Sequence, residues 1–252
     1  MAMRRMTTLR WIVFLFSVTT LGLSGFAGWF FFGGPEDDPA RKRMNAHVAR
    51  IEAKVPAAEA GSAKAQYEMA RLYHNADHIK PDFKSAFKWY SKAADKGHVE
   101  AQYLIGTMFA KGEGVRQDYF RASEWYRLAA NLGRHAGAQL ALGELYSKGL
   151  GVPHDYAEAR AWYRKAALRG HPVAQYFLGV MYAEGWAGGF KPVEAYTWLT
   201  LAMKGQNRVM AYDSKLKTPL DPRAVRDRVA KRMNSNQIKR ANEAAEKFQP
   251  QR

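Results

Sequence analysis

Residues 138–170 read AQLALGELYSKGLGVPHDYAEARAWYRKAALRG, and this stretch decides the fold. Ala138, Leu142, Leu145 and Tyr146 fall at offsets of four, seven and eight, one face of a 3.6-residue period, which predicts a helix of about three turns. Gly149 follows, where a residue free to take positive φ ends a helix. Asp155 then offers a side-chain acceptor to the open amides of a new first turn. Ala159, Trp162, Ala166 and Ala167 carry a second helix to Gly170. The unit is a pair of helices, and neither can bury its apolar face alone.

The same unit recurs with a period of 35 to 37 residues. Ala-Gln appears at Ala65-Gln66, Ala101-Gln102, Ala138-Gln139 and Ala174-Gln175. An Ala three residues before a Trp appears at Ala86 and Trp89, Ala122 and Trp125, Ala159 and Trp162, and Ala195 and Trp198. A terminating Gly closes each unit at 97, 133, 170 and 205, while Gly112, Gly149 and Gly185 share the inter-helix slot. The first repeat departs there, with Ala76 followed by His78-Ile79-Lys80-Pro81, so a differently shaped loop is expected. Second helices are expected to start at Asp82, Asp118 and Asp155, and at Lys191-Pro192 in the fourth repeat, Pro being tolerated at a first helical position. The small Ala permits close approach and the indole fills the space between hairpins. Trp89, Trp125, Trp162 and Trp198 are therefore all expected in the core, where truncation costs roughly 3–5 kcal/mol each.

The pattern A-Q-x-x-x-G-x-x-Y-x-x-G-x-G-V, then D-Y-x-x-A-x-x-W-Y-x-x-A-A-x-x-G, resembles the Sel-one-like repeat family over residues 61–205. The resemblance implies an all-α, right-handed solenoid of antiparallel helix pairs, about four repeats, related to tetratricopeptide repeats. It also implies an adaptor role in multiprotein assemblies or signalling. On this reading the repeats are 61–96, 97–132, 133–169 and 170–204. Residues 33–60 form a linker and a capping helix near 44–60, with Pro56 its awkward element. Residues 205–252 form a basic helical cap, with helices expected near 222–233 and 237–248.

By the same resemblance the first helices line the concave face. The slots three, six and ten residues after each repeating Ala then form the partner-binding surface. They read Glu68, Arg71 and Asn75; Leu104, Thr107 and Lys111; Ala141, Glu144 and Lys148; and Phe177, Val180 and Glu184. Leu104 and Phe177 are expected as exposed anchors for a partner segment or, equally, as residues covered by neighbouring helices. Arg223, Arg226, Arg228, Lys231 and Arg232 read either as a solvated cap face or as a basic docking patch for an acidic protein or lipid headgroups.

The chain has 252 residues and no Cys, which removes disulfides, thiolate chemistry and Cys-ligated zinc. Its formal charge is +16, and the largest share of the excess lies in residues 205–252. From Trp11 to Phe32 no charge occurs, after Arg4, Arg5 and Arg10. Such a run, at about 1.5 Å per residue, crosses a hydrocarbon core of about 30 Å. The segment 11–32 is read as an uncleaved signal anchor in a bacterial inner membrane. The alternative is a cleaved signal peptide ending at Gly25-Phe26-Ala27. Residues 1–10 are then cytoplasmic and the repeats periplasmic.

No H-E-x-x-H, G-x-S-x-G or phosphate-loop motif is present. His98, His135 and His171 follow the repeat ends and read as helix-start residues rather than ligands. The expectation is a protein with no catalytic residues, no cofactor and no metal, binding a protein or peptide and not nucleic acid. A cell-wall glycan-binding enzyme or enzyme activator is the alternative, and requires converging carboxylates in the groove.

Overall fold

A computed structural model describes residues 38–75, 80–186, 188–205, 209 and 220–251. The expected basic amino terminus, the membrane anchor at 11–32 and the loop at 76–79 lie outside the described residues. Among the described residues, no helix is long and apolar enough to cross a membrane.

Every regular element among them is an α-helix: α1 Pro39–Glu59, α2 Ala63–His74, α3 Phe83–Asp95, α4 Val99–Lys111, α5 Tyr119–Asn131, α6 Ala136–Lys148, α7 Tyr156–Leu168, α8 Pro172–Glu184, α9 Pro192–Met203, α10 Pro222–Ala230 and α11 Ser235–Glu246. The chain divides into two compact units, residues 1–89 and 90–252. In the first, α1 packs on α2 as the second helix of a preceding repeat would, around Ile51, Ala58, Ala65 and Met69. It begins earlier than expected because Asp38 caps it, accepting from the Ala40 amide at 3.1 Å, with Pro39 at the first helical position. Pro56 lies inside α1 on an exposed face and does not end it.

In the second unit α4 pairs with α5, α6 with α7 and α8 with α9, and each second helix packs on the next first helix. The caps follow the sequence. Gly112, Gly149 and Gly185 end the first helices in the left-handed region at φ 74°, 65° and 78°. Asp118 accepts from the Arg121 amide and Asp155 from those of Ala157 and Glu158.

Between repeats the connection is short, residues 96–98, 132–135 and 169–171. After α3 the Gly97 amide donates to Ala94 O and the His98 amide to Ala93 O, the paired bonds of a Schellman turn. His98 is at once the last residue of that turn and the cap of α4, its Nδ1 accepting from the Ala101 amide at 3.3 Å. His135 caps α6 in the same way at 3.1 Å. His171 occupies the cap position of α8 but makes no capping bond.

The Ala-Gln pair holds the repeats together. Gln66, Gln102, Gln139 and Gln175 are all buried. Their Nε2 atoms donate to Ala58 O, Ala94 O, Ala130 O and Ala167 O, at 3.0, 3.3, 3.2 and 3.2 Å. Each acceptor is among the last carbonyls of the preceding helix, which no intrahelical amide can reach.

The core expectation for the four Trp needs correction. Trp162 is buried at 7 % exposure, but Trp89, Trp125 and Trp198 are only half-buried. The residue after each Trp goes deepest: Tyr90, Tyr126, Tyr163 and Leu199 are 1, 4, 3 and 0 % exposed. Tyr126, Tyr163 and Leu199 lie against Gly106, Gly143 and Gly179, where a Cβ would stand 2.7, 2.5 and 2.7 Å from the facing side chain. A first helix bare of side chain at that point lets the aromatic ring sit flat on its backbone, while the indole, one residue round the helix, straddles the rim.

Gly143→Ala tests this close approach. The gain in helix propensity is about 1 kcal/mol. Overpacking against a ring that has nowhere to move costs about 1–3 kcal/mol. The variant is expected to unfold at lower urea than the parent, with a net loss of up to about 2 kcal/mol.

Candidate protein-interaction surface

Within residues 90–252 the first helices present a strip of polar and aromatic side chains. Tyr103 on α4 stacks on His135 at 4.5 Å between centroids and tilts against Tyr126 of α5 at 5.8 Å. The Ala138 amide donates to His135 Nδ1, so the ring proton is on Nε2, which donates to Glu100 Oε2 at 2.9 Å. One imidazole thus caps its own helix and ties it to the previous repeat.

Next along the strip the Tyr126 hydroxyl donates to Thr107 Oγ1 at 3.4 Å, and the Tyr163 hydroxyl meets Ser147 Oγ at 3.2 Å. Glu144, paired with Lys148 at 3.6 Å, lies close enough to Tyr103, Tyr126 and Tyr163 to disfavour phenolate at all three. Burial is the larger cause, and it raises each of these tyrosines above the ordinary range. Their hydroxyls therefore stay protonated, fixed hydrogen-bonding groups beside a carboxylate. Phe177 stacks on Tyr163 at 5.3 Å and continues the strip onto α8.

The structure brings Thr107, Glu144, Lys148 and Phe177 to this strip, and decides between the two readings of Leu104 and Phe177. Leu104, Phe177 and Val180 are half-buried rather than exposed, and Phe177 and Val180 pack against the core formed with α9. Phe177 is not a free anchor, because Tyr163 of the preceding second helix, α7, stacks on it. Ala141 is half-buried, and Lys111 is exposed with its ammonium 3.7 Å from Glu113. Glu184 is bound to Arg228 of α10. In residues 1–89, Glu68 pairs with Lys54 of α1, while Arg71 and Asn75 are exposed.

The expected basic patch on α10 is also rearranged. Arg226 bonds Asp227 at 2.8 Å, reaches Met203 Sδ at 3.1 Å and lies over Tyr196 at 5.5 Å. Arg232 lies over the Phe190 ring at 3.7 Å, and Arg228 holds Glu184. Three of the five cations thus clamp the cap to the fourth repeat. Arg223 and Lys231 are exposed. Sequence reading missed five exposed large apolar side chains among the described residues: Met44, Phe120, Leu128, Leu132 and Trp186. Among the described residues no three His, Asp or Glu side chains gather where they could hold a metal ion.

Comparison with known proteins agrees with this architecture. The family model for the Sel1 repeat matches residues 63–98, 99–133, 136–171 and 172–206, more than half of the chain. The chain belongs to the Sel1 repeat family. Sel1 repeat proteins generally act as protein-interaction scaffolds, and the fold is typically non-enzymatic. A Sel1 repeat protein from Oxalobacter formigenes is 28 % identical, with a TM-score of 0.59 over 78 % of this chain and 76 % of that one. The protective antigen c5321 of uropathogenic Escherichia coli, which displays the same fold, is 24 % identical with a TM-score of 0.49. That alignment takes in 92 % of this chain but 54 % of the antigen, so the chain spans about half its length. The immunity protein Pa5087 of Pseudomonas aeruginosa is 21 % identical, with a TM-score of 0.44 over 85 % and 84 % of the two chains. A search of curated proteins gives no match.

The Glu68–Lys54 pair generates a pH prediction. The hydrogen bond from Lys54 is the main cause holding the Glu68 carboxyl below its usual 4.5. A lowered native pKa contributes stability above the unfolded value and loses it as pH falls through the native one. The pair is partly exposed, so Glu68→Gln is expected to cost at most about 1 kcal/mol at pH 7. As pH falls below the usual carboxylate range and Glu68 is protonated, urea titrations of variant and parent should converge.

Proposed function

We propose that the chain is a non-catalytic adaptor, held in a bacterial inner membrane by residues 11–32, whose repeats bind a protein or peptide segment in an envelope complex or signalling system. On this reading the first helices line the inner surface of a right-handed superhelix on the periplasmic side. The partner lies along the strip from Thr107 through Glu144 and Lys148 to Phe177. The observation that carries the proposal is the Glu144 cluster. A half-buried carboxylate sits among protonated tyrosines and two hydroxyl side chains, Thr107 and Ser147, on a scaffold whose packing is satisfied elsewhere. Such a surface offers rigid aromatic faces with directional donors and acceptors, the combination that recognises an extended polypeptide.

The partner segment is read as one that brings a cation to Glu144 and backbone groups to the hydroxyls. The uncharged, largely apolar run at 11–32, with arginines before it, supports the tether.

The test places a photo-crosslinking amino acid at Thr107, at Lys148 or, as a control, at Lys165 in the full-length chain in intact cells. One discrete species is expected from 107 and 148 and not from 165. It should be lost when Glu144→Arg is added, with the melting temperature kept within about 3 °C. Equal capture at all three positions, or capture indifferent to Glu144→Arg, would refute the strip as the binding surface. Protease accessibility of the repeats in spheroplasts tests the topology: cleavage from outside is expected, and protection would place the repeats in the cytoplasm.

A further inference from the structure

The outer faces of the second helices are not alike. Counted from each repeat's Trp, the positions five before, three after and seven after read Lys84, Lys92 and Lys96 in the first repeat and Ala157, Lys165 and Arg169 in the third. Those are solvated faces. In the second repeat the same slots hold Phe120, Leu128 and Leu132, exposed at 59, 41 and 78 %. In the fourth they hold Val193, Leu201 and Gly205. There the apolar residues are covered: Leu201 is 3 % exposed and Val193 packs against the core.

The cover in the fourth repeat is the chain's own end. The last helix, α11, packs directly on α9, whereas a further repeat would have paired it with α10. Ala241 and Ala245 face inward at 0 and 3 % exposure, and Thr197 Oγ1 donates to Ala241 O at 3.3 Å. Beyond α11 the chain runs extended. Phe248 meets the Trp198 ring edge-on at 5.7 Å, Pro250 lies over Gly170, and the Gln251 amide donates to Leu168 O at 2.8 Å. Gly97 stands in the slot of Gly170 and Trp125 in that of Trp198. A Cβ on Gly97 would meet nothing within 4 Å.

We propose that the outer face of α5, from Phe120 to Leu132 with the Gly97 notch beside it, is a second docking site, distinct from the first-helix strip. Its occupant is a short amphipathic helix of another polypeptide, with small residues four apart on its contacting face and an aromatic residue leading into an extended end. The chain itself shows such a segment seated on the matching surface of α9. Glu124 stands where α9 has Thr197, so the occupant supplies the donor there. A second copy's α11 is not the occupant. Only residues 231–234 link α11 to α10, and α10 is itself fastened to α9, so lending α11 would strip a face of equal size.

The probe is a fluorescein-labelled peptide of residues 234–251, titrated against the full chain in detergent. The parent is expected to bind it saturably. Glu124→Thr, which restores the hydroxyl that α11 meets on α9, is expected to tighten binding. The triple variant Phe120→Ala, Leu128→Lys, Leu132→Arg carries only residues that the third repeat already tolerates in these slots, so it should keep its melting temperature. It is expected to weaken the probe at least tenfold. No saturable binding, or equal binding to the triple variant, overturns the proposal. So does a concentration-dependent dimer that the triple variant abolishes, since the occupant would then be a second copy. Crosslinking at Lys148 stays unchanged in the triple variant if the first-helix strip is a separate site, so failure here leaves that reading intact.

Discussion

Each second helix ends with carbonyls that its own amides cannot reach, and a buried glutamine from the next repeat reaches across to bond one, beside the terminating-glycine amide at Ala58, Ala94 and Ala167 and without it at Ala130. That bond is made at all four Ala-Gln positions. Its energetic weight comes from burial: a hydrogen-bonding group left unpaired away from water costs about 1–3 kcal/mol, more than the bond contributes when water is the alternative, and at Ala130 O the glutamine is the partner that prevents it. The amide works only when the next repeat is seated, so it converts local helix ends into cooperation between neighbours. The glycines at 106, 143 and 179 then set the depth of each hairpin, and the Tyr or Leu that fills each gap completes the seal.

Because packing and capping are settled by these few slots, the remaining first-helix positions are free to vary. They have become a mixed surface: a caged imidazole at 135, tyrosine hydroxyls held protonated by burial, and the carboxylate of Glu144 between them. Nothing in that arrangement supplies a nucleophile with an adjacent base. It supplies rigid recognition groups, which is what a scaffold requires.

The repeat register, the left-handed glycines at 112, 149 and 185, and the aspartate caps were all readable from sequence. Each follows from a local rule that one residue type satisfies best. The glutamines were visible as markers but not as clamps, since their acceptors lie eight or nine residues upstream on another helix. Trp was overvalued for a similar reason. Volume alone favours the indole, but the glycine opposite faces the next residue, so Tyr163 rather than a Trp occupies the deepest place in its repeat. Burial of Phe177 could not be read from helical phase, because Tyr163 arrives from a neighbouring helix. The outer stripe at Phe120, Leu128 and Leu132 did have a sequence signal. It lies in comparing one slot across repeats, lysine against leucine, rather than in the period of any one helix.

The most direct test of the clamp is a pair of glutamine substitutions. Gln139→Met removes the buried donor from Ala130 O. Gln117→Met removes an exposed donor from Ala110 O, where water can take its place. Native-state hydrogen exchange and urea unfolding should show the first variant losing about 1–3 kcal/mol, with faster exchange across the end of α5 and the start of α6. The second should stay within about 0.5 kcal/mol of the parent. Equal, small effects from both would contradict the account, since burial of the amide would then carry no weight in joining the repeats.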